Sequence, residues 1–392
     1  MIDRTEVIRP LEKVKSFLVD IASNAQESEA RRWLVESDIE ALDNAGVYRM
    51  AVPASHGGLQ ADLLEQIEVA ALIAEANPSL SWVSTLWNAN TYIANFLPAS
   101  GQDQVFKGGS VKSSGVFSPM GRFTPVEGGV ILNGNYKWNT GCRGARWNNL
   151  TGFLDSGDGT KKVVSAFVEI DDVRPVDDWF ASGLQGTGSS TAIVNDAFIP
   201  NERIVDVLAV TIGTLPSDRS NPTLPWANYA FVPNVLVSSL GTPIGIARGA
   251  VTAFVTRSKG RPITYTSWAD QSTTQYAHVV LGEAAATLDA AEALTRTAAH
   301  TIMSIADSGR LPSTAERARI RGQVGMVIQL CKSTVELVQG ASGASSIMLD
   351  VPIQRYSRDI SALSLHALLL PSTHYEVNGR VLEGLDPDSI FL

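Results

Sequence analysis

The spacing of hydrophobic residues changes twice along this chain, and this constrains the fold more than any other feature. Residues 1–110 place them at the three- and four-residue intervals of amphipathic helices. Residues 111–225 place them in short, alternating, β-branched runs that end in a proline-rich connector, and residues 226–392 return to the helical interval in four long segments. The pattern predicts an α+β fold with an N-terminal helical domain, a central antiparallel β domain and a C-terminal four-helix bundle.

Composition excludes several classes of protein. The 392 residues carry a net charge of −9 without any block of Lys or Arg, which argues against nucleic-acid binding. The N-terminus lacks the apolar stretch of a signal peptide, and no apolar run approaches the ~20 residues of a membrane span. Two distant cysteines and five histidines in no ligand-like pairing disfavour a disulfide framework and a metal site. We therefore expect a cytoplasmic protein without a metal.

Three motifs contain residue types suited to ligand binding. The first is the stretch GLQGTGSS at 183–190, whose glycines allow close backbone approach and whose hydroxyls donate hydrogen bonds. The second is WNTGC at 138–142, and the third is QRYSRD at 354–359, followed by His366. The glycine spacing in the first motif does not fit a dinucleotide-binding loop, and the patterns GxSxG and HExxH are absent. Hydrolysis by a Ser-His-Asp arrangement remains open at this point.

Taken in order, these motifs resemble the acyl-CoA dehydrogenase superfamily over nearly the whole chain. The resemblance is carried by PASHGG, WNTGC, DDWFASGLQGTGSSTAIVNDAFIP, RSKGRPITYTSWADQ, GASGASS and QRYSRD. The dehydrogenases carry a catalytic glutamate and Gly-Thr after the Arg-Asp pair, whereas this chain has ISALSLHALLLPS there. That departure resembles the branch of two-component flavin-dependent monooxygenases, aromatic or polyketide hydroxylases and amino-sugar oxygenases that receive reduced flavin from a separate reductase.

The resemblance implies a reaction of reduced FMN (or FADH2) with O2. A monooxygenase of this branch forms a C4a-hydroperoxyflavin in a pocket that excludes water, and it needs an acid–base group that histidine supplies. His366 is the candidate for that role, in what the spacing predicts to be a long apolar helix. Thr140 is the candidate for contact with flavin N5, although a strand hydroxyl bonded to the backbone would have the same sequence.

The same resemblance implies a flavin-binding set. Trp138, two residues from Thr140 and so on the same strand face, is either packed beside the flavin ring or a core residue. Arg261 resembles the arginine that binds the flavin phosphate, from its own or a neighbouring subunit. Arg358 and Asp359 read as an internal ion pair, and His374 as a loop residue. The remaining members of the implied flavin set are Gly141, Ser189, Gln271, Gly343, Ser345 and Ser346.

The sequence thus predicts the oxygenase component of a two-component monooxygenase that hydroxylates an aromatic, polyketide or amine substrate. Its partners would be the small-molecule substrate and a flavin reductase. The apolar faces of the bundle helices indicate oligomerisation, with a homotetramer as our expectation. A dehydrogenase acting on an acyl thioester, and a helical assembly protein without enzymatic activity, are the alternatives.

Overall fold

The computed structural model describes residues 10–155, 159–389 and 391–392 and confirms the α+β class. The N-terminal part is helical, as predicted. Asp62 caps the helix Leu63–Ala76 by accepting the amide of Glu65, and Asn77 with Pro78 starts the helix Pro78–Ile93, in which all 16 residues are buried. The helices of this part are α1 (Pro10–Lys15), α2 (Leu18–Arg31), α3 (Glu36–Ala45), α4 (Leu63–Ala76), α5 (Pro78–Ile93) and α6 (Ala99–Val105).

A seven-stranded sheet follows. Its strands are β1 (Ser113–Val126), β2 (Gly129–Asn139), β3 (Trp147–Asp155), β4 (Lys161–Glu169), β5 (Arg174–Pro175), β6 (Ser190–Pro200) and β7 (Ile204–Asp206). They are arranged in the order β5-β6-β2-β1-β3-β4-β7. The sheet is mixed, because β1 pairs with β3 in parallel while the other described pairings are antiparallel. β2 runs antiparallel to β1 and therefore ends near the residues where β1 begins. The turn at 140–146 starts β3 beside that end of β1, so that β3 runs parallel to β1. The prediction of a purely antiparallel sheet is wrong for this pair of strands.

The C-terminal part consists mainly of helices. Thr274 caps the 33-residue helix Gln275–Asp307, and Ser313 and Glu316 form a reciprocal capping box at the start of the helix Thr314–Ala341. These helices are α7 (Val207–Thr211), α8 (Phe231–Ser238), α9 (Gly241–Ser258), α10 (Gln275–Asp307), α11 (Thr314–Ala341), α12 (Pro352–Leu363) and α13 (Pro371–Leu382).

The fourth predicted bundle segment is two helices instead of one. α12 ends at Leu363, a turn occupies 364–370, and Pro371 begins α13. Proline has no amide hydrogen and disfavours helical geometry in the residue before it, so it suits the first position of a helix better than the interior. The break places His366 in a turn and not in a helix.

One stretch, Phe231–Ser258, is long and apolar enough to cross a membrane by length and composition alone. It comprises α8 and α9, and 83% of its most apolar window is buried inside the protein. Its side chains, among them Leu236, Ile246 and Phe254, join residues of α4, α5, α10, α11 and α12 in one hydrophobic core. This stretch is therefore core-forming, and it holds the helices that carry the functional motifs.

Candidate functional site

A chain of buried hydroxyl groups joins the WNTGC and GLQGTGSS motifs. Thr140, in the turn after β2, lies 2.8 Å from Ser189 between their Oγ atoms, and Ser189 lies 2.8 Å from Thr187 in the same way. The hydroxyl of Thr187 donates to the carbonyl of Leu184 at 2.9 Å, and its own carbonyl accepts the amide of Gly141 at 3.2 Å. The two motifs, about 45 residues apart in the sequence, are thus joined by a continuous series of hydrogen bonds.

Gly141 approaches a protein side chain closely. Its φ of +73° lies in the left-handed region, and a Cβ atom there would lie 2.7 Å from Nε1 of Trp87 and 2.8 Å from Cγ1 of Val83. The Trp87 indole donates to the carbonyl of Gly141 at 3.2 Å. Glycine is needed at this position because α5 packs directly against the turn that carries Thr140.

Trp138 and Thr140 differ in exposure, contrary to the expectation that they share a strand face. Trp138 is 65% exposed, whereas Thr140 is buried. The β2–β6 register shifts between Tyr136 and Asn139, and Trp138 has a φ of +59°, so the two-residue alternation is broken there. The Trp138 ring is thus exposed beside a buried hydroxyl, and it is not a core residue.

The GLQGTGSS loop is fixed to α12. A Cβ atom on Gly183 would lie 2.2 Å from the carbonyl oxygen of Arg358, so the backbones touch. The amide of Leu184 donates to the buried carboxylate of Asp359 at 2.6 Å. Arg358 pairs with Glu29 of α2 at 2.9 Å and donates to the carbonyl of Ser182 at 3.1 Å.

The expected ion pair between Arg358 and Asp359 is therefore wrong. Adjacent residues of a helix point about 100° apart and do not face each other. Each side chain reaches a different segment instead. Burial is the main reason why the pKa of Asp359 is raised to about 7.

His366 lies in the turn after α12, where its ring meets Trp82 of α5 edge-on at 5.0 Å between centroids. Its Nδ1 accepts the amide of Leu368 at 3.2 Å, which places the proton of the neutral ring on Nε2. Burial lowers the pKa of His366 to about 4. The imidazole is thus neutral at physiological pH and available as an Nε2–H donor, which differs from the expectation of a group that titrates there.

His374 is a buried helix residue and not the loop residue predicted from its position after Pro371. It lies in α13 with no exposed surface, and its Nε2 lies 2.9 Å from the carbonyl oxygen of Leu368. Its Nδ1 lies 3.5 Å from the guanidinium of Arg321, and burial is the main cause that lowers the pKa of His374 to about 4. It buttresses the turn that carries His366.

A second cluster gathers two arginines around the turn after α11. Arg261 donates to the hydroxyl of Ser345 at 2.7 Å and to the carbonyl of Ser342 at 2.5 Å, and Arg257 donates to the same hydroxyl at 2.8 Å. Gly343 has a φ of +71°, and a Cβ atom built on it would lie 3.2 Å from Nη2 of Arg261. Burial, together with the charge of Arg257, lowers the pKa of Arg261. Within the described part of the chain, neither arginine forms a salt bridge with a carboxylate.

The other predicted members of this cluster support the turn. The amide of Gln271 donates to the carbonyl of Arg261 at 2.8 Å, and its side chain donates to the carbonyl of Ala341 at 2.6 Å. Ser346 is buried, and its amide closes the turn onto Gly343. A cavity of about 620 Å³ opens beside this cluster, lined by Arg257 and by residues of α9 and the start of α12. In the described ranges no group of His, Cys, Asp and Glu could hold a metal ion.

Comparison with known proteins identifies the fold and the branch. Residues 239–371 match the acyl-CoA dehydrogenase C-terminal domain. The chain is 28% identical over 382 residues to the flavin-dependent monooxygenase oxygenase subunit HsaA of Rhodococcus jostii, covering 96% of this chain and 98% of that protein. It is 26% identical to the oxygenase component of p-hydroxyphenylacetate 3-hydroxylase from Acinetobacter baumannii, covering 96% and 90%. The crystal structure of XiaF from a Streptomyces species in complex with FADH2 and glycerol superposes with a TM-score of 0.89 at 27% identity, covering 97% and 96%.

This chain has the acyl-CoA dehydrogenase-like fold. It is the oxygenase component of a two-component flavin-dependent monooxygenase, an oxidoreductase that uses reduced flavin. The turn at 364–370, SLHALLL, contains no carboxylate that could act as the base of a dehydrogenase.

Sequence reasoning missed Arg257 and the long-range contact of Asp359. Arg257 lies in the last turn of α9, and Arg261 lies four positions later in the loop that follows this helix, so helical spacing does not indicate their convergence. Asp359 was noticed in the Arg-Asp pair, but its partner Leu184 lies 175 residues away, and no local pattern indicates that contact.

Proposed function

We propose that this oxygenase component hydroxylates a phenolic or related aromatic substrate, with Thr140 and His366 as its principal reactive-site residues. One observation carries the assignment: α5 contacts both candidate turns. Trp87 of α5 bonds the turn that contains Thr140, and Trp82 of α5 packs on His366. The two hydrogen-bonding groups are thus held against one fully buried helix. The aromatic class is supported by the p-hydroxyphenylacetate hydroxylase among its relatives.

Reduced flavin supplies the electrons that activate O2, and the protein supplies the environment. Thr140 is the residue that we assign to the flavin N5 region. Its hydroxyl is fixed by Ser189, which is fixed in turn by Thr187. A hydroxyl held in this way presents a constant donor or acceptor and loses little freedom when the flavin binds.

His366 is the residue that we assign to the substrate. Because Nδ1 is occupied by the Leu368 amide, the free Nε2–H donates a hydrogen bond. A neutral donor in a dry pocket orients a substrate oxygen without placing a second charge beside it. Trp82 supports the imidazole on one edge and limits its rotation.

The arginine cluster fits the phosphate of the flavin. Arg257 and Arg261 converge on Ser345 without a carboxylate to neutralise them in the described structure, and such a pair suits a dianionic phosphate. The absence of a side chain at Gly343 leaves space beside the guanidinium of Arg261, because a Cβ atom there would lie 3.2 Å from its Nη2. These residues would hold the phosphate of FMN or the pyrophosphate of FAD.

We also propose that the enzyme is a cytoplasmic homotetramer. Three consecutive hydrophobic side chains after the phosphate-binding turn, Ile347, Met348 and Leu349, are 69%, 59% and 70% exposed, as expected of residues that another subunit covers. Both cysteines are buried and free, which suits a reducing compartment. Light scattering of the purified protein tests the assembly, and a monomer at micromolar concentration would contradict it.

The three domains predicted from the sequence each supply one part of this proposed site. Residues 1–110 contribute α5, residues 111–225 contribute the hydroxyl chain, and residues 226–392 contribute His366 and the two arginines. The reaction site would accordingly lie where the three meet.

The proposal is tested by single turnovers with chemically reduced FMN or FADH2, O2 and a panel of phenols, anilines and aliphatic amines. We expect hydroxylated product from at least one phenol, with less H2O2 released than in its absence. Conversion of all the O2 to H2O2 with every phenol would refute the substrate class. Anaerobic incubation of the oxidised flavin complex with acyl-CoA thioesters is the control, and we expect no bleaching of the flavin.

A further inference from the structure

Asp359 has an unusual environment that the proposed chemistry does not use. It lies in α12 and is 1% exposed. One carboxylate oxygen, Oδ1, accepts the amide of Leu184 at 2.6 Å, and the other, Oδ2, is buried and has no hydrogen-bond partner among the residues that the structure describes. A buried carboxylate with an unpaired oxygen costs free energy, so the presence of Asp359 at this position calls for a compensating role.

Leu184 connects this carboxylate to Thr140. Leu184 has a φ of +51°, a left-handed conformation that is strained for a leucine. Its carbonyl accepts the Thr187 hydroxyl at 2.9 Å and the Trp179 indole at 3.2 Å. From Thr187 the hydrogen-bonded chain continues through Ser189 to Thr140. The amide end of the strained residue is thus held by α12 and the carbonyl end by the hydroxyl chain.

We propose that Asp359 is a positioning residue that holds the 183–190 loop, through the Leu184 amide, in the conformation that orients Thr140. The consequence for catalysis rests on the proposed function, whereas the consequence for the loop does not. The residue touches no substrate in this scheme. It links the helix that precedes His366 to the loop that supports Thr140, so both parts of the site share one attachment.

The attachment responds to pH. Burial is the main cause that raises the pKa of Asp359 from 3.8 to about 7. The hydrogen bond from the Leu184 amide opposes this shift, as do the charges of Arg358 and Arg355 of α12, and the charge of Glu29 of α2 adds to it. While the loop is docked, the Asp359 carboxyl group therefore keeps its proton at pH values at which a solvated carboxyl group would be ionised. It follows that loop docking is favoured at low pH and weakens as the pH rises through about 7.

Hydrogen exchange by mass spectrometry on the flavin-free protein tests this directly. We compare peptides that cover 179–190 at pH 6 and pH 8, corrected for intrinsic exchange, in the wild type, Asp359→Asn and Asp359→Leu. Asp359→Leu should accelerate exchange about tenfold at both pH values, because the buried Leu184 amide loses its acceptor. Asp359→Asn keeps an acceptor oxygen but cannot titrate, so its corrected exchange should be the same at both pH values. Asp171→Asn, an exposed aspartate in the β domain, is the matched control and should behave as the wild type.

Activity and flavin affinity give the second measurement. We expect Asp359→Leu to weaken reduced-flavin binding and to increase H2O2 release, and Asp359→Asn to restore both toward wild-type values. If exchange in the 179–190 peptides is unchanged by Asp359→Leu, or if Asp359→Asn keeps the wild-type pH response, the positioning role is wrong. Should Asp359→Leu fail to fold, the pH response of Asp359→Asn alone decides. If the exchange results hold while the wild type hydroxylates no substrate, the proposed function fails and the positioning role stands.

Discussion

Gly141→Ala is the substitution that most directly tests the contact between α5 and the Thr140 turn. An alanine at this position must adopt a φ near +73°, which costs about 1–2 kcal/mol. Its Cβ would also lie 2.7 Å from Nε1 of Trp87 and 2.8 Å from Cγ1 of Val83, both within a buried and tightly packed helix. Overpacking of that kind costs a further ~1–3 kcal/mol.

The matched control is Gly128→Ala, in the exposed turn between β1 and β2. Gly128 has a φ of +77°, and a Cβ atom there would meet nothing within 4 Å. The two variants share the backbone cost and the change in the unfolded chain, so the difference between them isolates the collision with Trp87 and Val83. We expect Gly141→Ala to be less stable than Gly128→Ala by about 1–3 kcal/mol.

Urea unfolding followed by tryptophan fluorescence measures the free energy of unfolding of both variants. Gly141→Ala should also weaken reduced-flavin binding, because relief of the collision moves the turn that carries Thr140, whereas Gly128→Ala should bind as the wild type does. Equal stability of the two variants, within about 0.5 kcal/mol, would show that α5 does not hold this turn.

Three further predictions concern the ionisable residues. His366→Ala should lower hydroxylation at least ~10-fold while reduced-flavin affinity changes less than ~3-fold, and equal losses of both in rapid-mixing experiments would make it a structural residue. Arg261→Ala should weaken reduced-flavin binding about 10-fold or more in an anaerobic titration, because a charged phosphate contact is lost, and unchanged affinity would remove it from the site. The pKa values of His366 and His374 are lowered from 6.5 to about 4, so their contribution to stability is present above pH 6.5 and is lost as pH falls toward 4. Asp359, with its raised pKa, opposes this trend over the same interval, so Asp359→Asn should steepen the loss of stability in urea unfolding between pH 7 and pH 5.

The helix and strand pattern was readable from the sequence because each element has a strong periodic signal. All seven described strands lie within residues 111–225, where the sequence predicts short strands, and the helical spacing after residue 226 predicts the long helices α10 and α11. The parallel pairing of β1 and β3 was not readable, since strand alternation reports which face is buried and carries no information about neighbours. Pro371 itself indicates that a helix ends before it. The helical spacing of apolar residues across 351–380 nevertheless favoured the prediction of one continuous helix.

The candidate site was only partly readable. Sequence motifs located Thr140, Ser189 and Arg261, and the structure brings the first two into contact. The contacts that position them are long-range. The carboxylate of Asp359 meets Leu184 across 175 residues, and no periodicity or spacing encodes such a pairing. The exposure of Trp138 could not be predicted from the sequence either. Its left-handed backbone conformation, near the end of β2, breaks the alternation of side chains between the two faces of the strand.

The burial of α5 bears on how this enzyme could change its substrate. All 16 of its residues are buried, and it touches both the Thr140 turn and His366, through Trp87 and Trp82 respectively. Both groups are accordingly anchored to the same helix. A substitution elsewhere that admits a new substrate and leaves α5 in place therefore keeps the two groups in the same arrangement.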